Sequence, residues 1–111
     1  MDASFPKSER LCGKKAVEAL FERGKVFQAG CLRCRYLLRE DTEPSRVVIS
    51  VPKRHFKRAV KRNLLKRRIR ESYRRQKPGD GADLLFIYTS REVLPYESIY
   101  DDMTRVLEAL P

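Results

Sequence analysis

The spacing of apolar residues along the chain predicts three helices and four strands. Near the start, three apolar residues at i, i+3 and i+4 form one helical stripe: Val17, Leu20 and Phe21. We expect a helix over Lys14–Arg23, with Gly24 as its C-terminal stop. Residues 1–10 lack apolar periodicity, which predicts an extended arm anchored by Phe5.

Three strands and a turn are predicted next. Lys25–Ala29 suits a short strand, and Leu32–Glu40 alternates between two faces. One face carries Cys34, Tyr36 and Leu38, and the other carries Arg33, Arg35, Leu37 and Arg39. This alternation is typical of a sheet with only one face packed on a core. A polar turn over residues 40–45 predicts that Arg46–Val51 returns antiparallel as a hairpin partner. Its β-branched run, residues 47–49, predicts a central buried strand.

The second half of the chain reads as helix, strand, helix. We expect a helix from Lys57 or Arg58 to Gln76, then a buried strand over Asp83–Thr89. Because a long helix separates this strand from Arg46–Val51, the two strands should be parallel in a βαβ unit. A last helix should run from Leu94 towards Leu110. Its apolar stripe is Tyr96, Ile99, Tyr100, Met103, Val106, Leu107 and Leu110.

Positive charge is concentrated in one segment, Lys53 to Lys77. It holds 13 of the 25 Lys and Arg residues and a single acid, Glu71, so its net charge is +12 against +10 for the whole chain. Solvated helices usually interleave Glu with Lys, which lowers the repulsion between like charges four residues apart. An unbalanced basic helix is instead typical of a protein that binds a polyanion.

A helical wheel divides this segment into two faces. A basic row falls within about 100° of arc: Asn63, Lys66, Arg67, Arg70 and Arg74. Leu65, Ile69 and Ser72 cluster roughly 140° away. The helix can therefore pack by its apolar side while Arg and Lys groups suited to phosphate oxygens point outward.

The partner is expected to be RNA. A DNA-binding basic helix of the zipper type needs a dimerising heptad repeat, and none follows Lys77. A basic helix beside a basic sheet face favours a structured RNA, which is read by shape and backbone.

Other functional classes have weak support in the sequence. The three cysteines, Cys12, Cys31 and Cys34, include one C-x-x-C with too few further ligands for zinc. The acidic groups around residues 40–43 and 80–83 read as turns, and Asp101 and Asp102 as the exposed side of the last helix. We therefore expect no catalytic and no metal-binding residues in the protein. No apolar run has spanning length, so we expect a cytoplasmic protein without membrane contact.

Residues 58–74, RAVKRNLLKRRIRESYR, closely resemble the signature helix of the bacterial ribonuclease P protein subunit. The resemblance extends upstream to residues 46–54, Arg46-Val47-Val48-Ile49-Ser50-Val51-Pro52-Lys53-Arg54. Three further matches support it: FPKSERL at residues 5–11, Phe21 with Gly24, and DLLFI at residues 83–87. It covers nearly the whole chain. Departures are Val17, where many members have an aromatic, Leu64 in place of an Arg, and a loop at residues 55–57 that is one residue longer than in some members.

This resemblance implies a fold and a function. The fold is an α/β two-layer sandwich with a mixed sheet of about four strands, three helices and a left-handed βαβ crossover. The length of 111 residues separately predicts one domain over residues 1–111. The function is that of a monomeric partner of a catalytic RNA, which holds the active site and Mg²⁺ and removes the 5′ leader of precursor tRNA. By position, the RNA contacts are Lys53, Arg54, Arg62, Asn63, Lys66, Arg67, Arg70 and Arg74. The residues that line a leader cleft between the first helix and the sheet are Val17, Phe21 and Tyr36.

Two other functions remain open on the residues alone. A ribosomal or other structural RNA-binding protein would use the same basic helix without a leader site. A protein-only nuclease would need a carboxylate or acid/base set that the sequence does not offer persuasively.

Overall fold

The structure, a computed structural model, describes residues 14–77 and 79–110. The predicted arm around Phe5, and Cys12, lie outside these ranges. Seven elements follow in chain order: α1 (Lys14–Arg23), β1 (Lys25–Ala29), β2 (Leu32–Leu38), β3 (Arg46–Ser50), α2 (Ala59–Gln76), β4 (Ala82–Tyr88) and α3 (Tyr96–Glu108). The predicted α/β class, with three helices and a four-stranded mixed sheet, is confirmed for the described residues.

The sheet has the strand order β1-β2-β4-β3. β1 pairs antiparallel with β2, β2 antiparallel with β4, and β3 parallel with β4. The parallel βαβ unit of β3, α2 and β4 is therefore confirmed, while the left-handed crossover stays a prediction.

The predicted hairpin between β2 and β3 is wrong, because β4 lies between these two strands. β4 is buried along almost its whole length, which suits the interior of the sheet, whereas β3 is an edge strand with an exposed Ser50. The expectation of a central strand at residues 47–49 is wrong for the same reason. Only Val47 of that run is fully buried.

Asp83 helps to explain this strand order. Its carboxylate accepts a hydrogen bond from Arg39 Nη1 at 2.8 Å, and bonds from Arg46 Nε and Nη2 at 2.9 and 2.8 Å. Arg39 follows β2 and Arg46 begins β3, so one buried acid at the start of β4 links the strands on both sides. Asp83 lies in β4 and is 4% exposed, which confirms the predicted strand at this residue and shows that its interpretation as a turn residue is wrong.

Both faces of the sheet are packed, contrary to the prediction of a single packed face. The larger core lies between the sheet and helices α2 and α3, where Leu65, Ile69, Phe86 and Met103 are fully buried. A smaller cluster on the other face joins Leu20 of α1 to Leu85 of β4. The strand alternation placed mainly arginines on that second face, so it gave no signal that α1 covers part of it.

No helix among the described residues is long and apolar enough to cross a membrane. Cys31 and Cys34 are buried free thiols, and Cys31 immediately precedes β2. Asp102 was expected on the exposed side of α3 and is instead 6% exposed. Its carboxylate turns inward because it accepts the backbone N–H of Cys31.

Candidate nucleic-acid interface

The buried side of α2 fixes the direction of its basic side. Leu65, Ile69 and Ser72 are 0% exposed, which confirms the predicted packing arc. Ser72 Oγ satisfies its own hydrogen bond by donating to Ile69 O at 2.8 Å. Next to the buried side of the helix, Arg68 Nη1 donates a hydrogen bond to Leu94 O at 2.5 Å, which links α2 to the segment before α3. The outward face of α2 is therefore held in one orientation.

The outward row consists of the residues expected from the wheel. Asn63, Arg67 and Arg74 are exposed, and Lys66 and Arg70 are half-buried. Their donors form a band along one side of an 18-residue helix. Such a band matches a phosphate backbone better than a compact anion, because successive donors can meet successive phosphates.

Arg62 lies outside the row and has a different environment. Its Nη1 donates to the carbonyl oxygens of Phe56 and Lys57 at 2.7 and 2.8 Å. Arg58, at the N-cap, makes no side-chain capping bond, so Arg62 supports the loop that leads into α2. Lys53 and Arg54 lie on this loop and are exposed. Arg62 thus holds the carbonyl groups of residues 56 and 57, which follow Lys53 and Arg54 in the same loop.

Glu71, the single acid of the basic segment, organises the end of α2. It accepts hydrogen bonds from Arg74 Nε and Nη2 at 3.1 and 2.7 Å and from Arg75 Nε at 3.1 Å. The hydrogen bond from Arg74 is the main reason that the pKa of Glu71 lies below its ordinary value. Arg74 is therefore ion-paired within the helix and remains exposed, with its guanidinium held in place.

A second basic surface lies on the sheet face that α1 partly covers. Phe21 is 52% exposed, and Arg35 Cζ lies 4.7 Å from its ring centroid. The neighbouring row across the sheet runs Val26, Arg35, Leu85 and Val48. Leu85 and Val48 pack with α1, whereas Val26 is 49% exposed, so the floor beside Phe21 is open.

The next row of this floor is polar and fixed by hydrogen bonds. Arg33 Nε donates to Gln28 Oε1 at 3.1 Å, and Gln28 Nε2 donates to Thr89 Oγ1 at 2.9 Å. Arg33 and Arg35 share a face because they alternate with Cys34 along β2. The open floor therefore combines one aromatic ring with two guanidinium groups.

The structure brings together only two of the three residues predicted to line a leader cleft. Val17 packs with the small cluster under α1, and Phe21 follows it by one helical turn. Tyr36 packs instead against the larger core, on the opposite face of the sheet. Sequence reasoning missed Arg35, whose guanidinium lies over the Phe21 ring. The alternation of β2 carried that signal, since it already separated Arg35 from Tyr36.

Tyr36 reaches the surface at a recess near the sheet edge. This recess has a volume of about 250 Å³ and is lined by Arg23, Lys25, Tyr36, Leu37 and Leu38. Two of its five lining residues are basic. It borders the end of α1, so it lies at the margin of the Phe21 surface.

No group of three or more His, Cys, Asp or Glu residues within 14–77 and 79–110 is placed to hold a metal ion. The thiols are also poor ligands in their present state. Burial raises the pKa of Cys34 to about 12, and burial together with Asp102 raises that of Cys31 to about 12. Both cysteines therefore remain protonated at neutral pH.

Solved structures share this fold. A ribonuclease P protein from Thermotoga maritima superposes with a TM-score of 0.81 at 24% identity, covering 93% of this chain and 98% of that one. One from Staphylococcus aureus gives a TM-score of 0.80 at 21% identity, covering 92% and 94%. At these identities the likeness concerns the fold.

Sequence comparison carries the family assignment. A "Ribonuclease P protein component" from Picosynechococcus is 32% identical over 107 residues, covering 93% of this chain and 90% of that protein. One from Porphyromonas gingivalis is 42% identical over 73 residues, covering 64% of this chain. The match spans 53% of the length of that Porphyromonas relative. The family model described as Ribonuclease P matches residues 5–110. The chain therefore belongs to the ribonuclease P protein family.

Proposed function

We propose that the protein is the protein subunit of ribonuclease P, with separate surfaces for the catalytic RNA and for the 5′ leader of precursor tRNA. The observation that carries this proposal is the division of α2. Leu65 and Ile69 bury one side completely, while the +12 segment Lys53 to Lys77 presents its basic row on the other. The row and the Lys53–Arg54 loop are the proposed contacts with the catalytic RNA.

The proposed leader site is the open floor beside Phe21. An exposed aromatic ring can stack on an unpaired base, and the Arg35 guanidinium already lies against it in the arrangement that a cation adopts over a ring. Arg33 would meet the backbone of the same strand. Val17 supports Phe21 from within the small cluster. We place Tyr36 in the edge recess, where it would contact the leader only at its margin.

The proposed division of labour assigns the chemistry to the RNA. The RNA would hold Mg²⁺ and perform the endonucleolytic cut, and the protein would neutralise phosphate charge and position the leader. Neutralisation should matter most at low Mg²⁺, when fewer cations are available to screen the two RNAs. We further propose a cytoplasmic ribonucleoprotein in which the protein acts as one RNA-binding domain and as a monomer.

Reconstitution with the catalytic RNA tests this proposal. We expect salt-sensitive association and faster cleavage of precursor tRNA at low Mg²⁺ when the protein is present. Association without any gain in cleavage, and without leader contacts, would favour a structural RNA-binding protein. Cleavage by the protein in the absence of RNA would overturn the assignment of the chemistry.

A further inference from the structure

A second recess lies between the end of α2 and the start of α3, away from the Phe21 surface. It has a volume of about 250 Å³ and is lined by Arg75, Tyr96, Glu97, Tyr100 and Asp101. The rings of Tyr96 and Tyr100 have centroids 5.9 Å apart and are tilted by 50°. Arg75 Cζ lies 5.9 Å from the Tyr96 centroid. Two aromatic rings, a guanidinium and two carboxylates therefore share one small space.

This combination suits a nucleobase. Aromatic rings and guanidinium planes stack on bases that have left a helix, and polar groups beside them read the exposed base edge. Carboxylates accept hydrogen bonds only, so they select an edge with adjacent donors. The Watson–Crick edge of guanine offers N1–H and the N2 amino group side by side, whereas that of adenine offers one donor beside an acceptor. The recess is thus matched to guanine.

One further observation favours a ligand in this recess. Glu71 Oε1 accepts a hydrogen bond of 3.1 Å from Arg75 Nε, so the guanidinium beside the Tyr96 ring is already ordered. An ordered guanidinium loses less conformational freedom when a flat polar molecule binds.

The recess adjoins the end of the outward row of α2. Arg74 belongs to the outward row of α2, and the next residue, Arg75, lines the recess. α3 carries four acids, Glu97, Asp101, Asp102 and Glu108, against one base, Arg105. This acidic helix repels phosphates, so a strand held by the row would enter the recess with a base and not with its backbone.

We propose that the recess binds one unpaired guanine of the RNA held along α2. The inference rests on the proposed function, because it takes the bound polymer to be RNA. Tyr96, Tyr100 and Arg75 would stack the base, and Glu97 and Asp101 would accept from its Watson–Crick edge. This makes the end of α2 a site of base recognition beside a row that recognises only backbone.

Titration of the full chain with short RNAs, followed by NMR, tests the proposal. The probes are UUGUU, UUAUU and the inosine form UUIUU, which lacks the N2 amino group. We expect UUGUU to shift the amides of Glu97 and Tyr100 and to bind about tenfold tighter than UUAUU, with UUIUU between them. Equal affinities, or an absence of shifts at the recess, would overturn the proposal.

Three variants separate stacking, edge recognition and general charge. Tyr100→Ala should weaken UUGUU about tenfold, and it spares the Tyr100 carbonyl that accepts from Gln76 and Thr104. The double change Glu97→Ala with Asp101→Ala removes both acceptors at exposed positions and should abolish the preference for guanine. Glu108→Gln removes an exposed acid of α3 outside the recess and should leave the preference unchanged. Retention of the preference in the double variant would overturn the edge assignment.

Two further measurements decide between outcomes. A pentalysine peptide that shifts the recess amides when no RNA pentamer does would identify a cation site and contradict the guanine proposal. Binding of the catalytic RNA, measured with wild type and Arg70→Ala, reports separately on the proposed function. If wild type binds the catalytic RNA and Arg70→Ala binds it more weakly, while the recess is silent to all three pentamers, the guanine proposal fails and the proposed function stands.

Discussion

Asp102 Oδ2 accepts a hydrogen bond of 2.9 Å from the backbone N–H of Cys31, so a buried carboxylate of α3 holds the turn between β1 and β2. Its other oxygen, Oδ1, accepts from Arg105 Nη2 at 2.6 Å. The turn itself contains Gly30 at φ 56°. The Asp102 side chain thus ties the turn between β1 and β2 to α3. The sheet that forms the floor of the Phe21 surface is thereby held against the layer of α2 and α3.

Asp102→Ala should lower the free energy of unfolding by roughly 1–3 kcal/mol, because it leaves the buried N–H of Cys31 without a partner. Urea denaturation measures this change. Asp101→Asn, at the exposed neighbouring position, is the matched control and should be close to neutral. Equal stability of wild type and Asp102→Ala would show that the hydrogen bond does not hold the turn.

Gly30→Ala should be destabilising by at least about 1–2 kcal/mol, the cost of the left-handed conformation for a residue with a Cβ. A Cβ at this position would also overlap the Asp102 carboxylate. Gly79→Ala is the control, since a Cβ there meets no atom within 4 Å. A thermal melt compares the two variants, and similar melting temperatures would contradict this interpretation of the turn.

Much of the secondary structure follows from the sequence, whereas the order of the strands does not. α1 and β1 have the predicted ends, and α2 differs by a residue or two, because amphipathic periodicity and Gly or Pro stops are local signals. The place of β4 between β2 and β3 brings Asp83 into ion pairs with Arg39 and Arg46. These pairs join residues far apart in the chain, so no local pattern predicted them.

In the candidate site, too, some features were predictable from the sequence and others were not. The outward row of α2 was predictable because a single helix turns each residue by a fixed angle. The grouping of Phe21 with Arg35 required knowledge of which sheet face α1 covers, and the placement of Tyr36 on the other face required the same knowledge. The inward orientation of the Asp102 side chain could not be predicted from the sequence, because its hydrogen-bond partner is a backbone N–H.

Above pH 9, the buried thiols should make stability depend on pH. The pKa of Cys34 is raised by burial from 9.0 to about 12 in the folded protein. The contribution of the protonated Cys34 thiol to the free energy of unfolding is therefore fully present below pH 9 and is lost as the pH rises towards 12. The free energy of unfolding in urea should fall over this window, and the fall should be shallower in Cys34→Ala. If the free energy of unfolding falls equally with pH in both proteins, the Cys34 thiol is not the cause of this pH dependence.

Arg70→Ala should weaken binding of the catalytic RNA and reduce the log–log salt slope by about one unit, as expected for the loss of one phosphate contact. The measurement is a binding isotherm at several salt concentrations. Arg91→Ala is a control of equal charge change, because Arg91 is exposed in the segment between β4 and α3. If both variants reduce the slope equally, the effect is one of net charge and not of the α2 row.

Site-specific cross-linking in the reconstituted complex tests the two-surface account most directly. A photoreactive residue is placed at Phe21 in one protein and at Arg67 in another, with the catalytic RNA and a precursor tRNA present. The account predicts that position 21 cross-links to the 5′ leader and position 67 to the catalytic RNA. Cross-links from both positions to the same RNA, or an absence of leader cross-links at position 21, would contradict it.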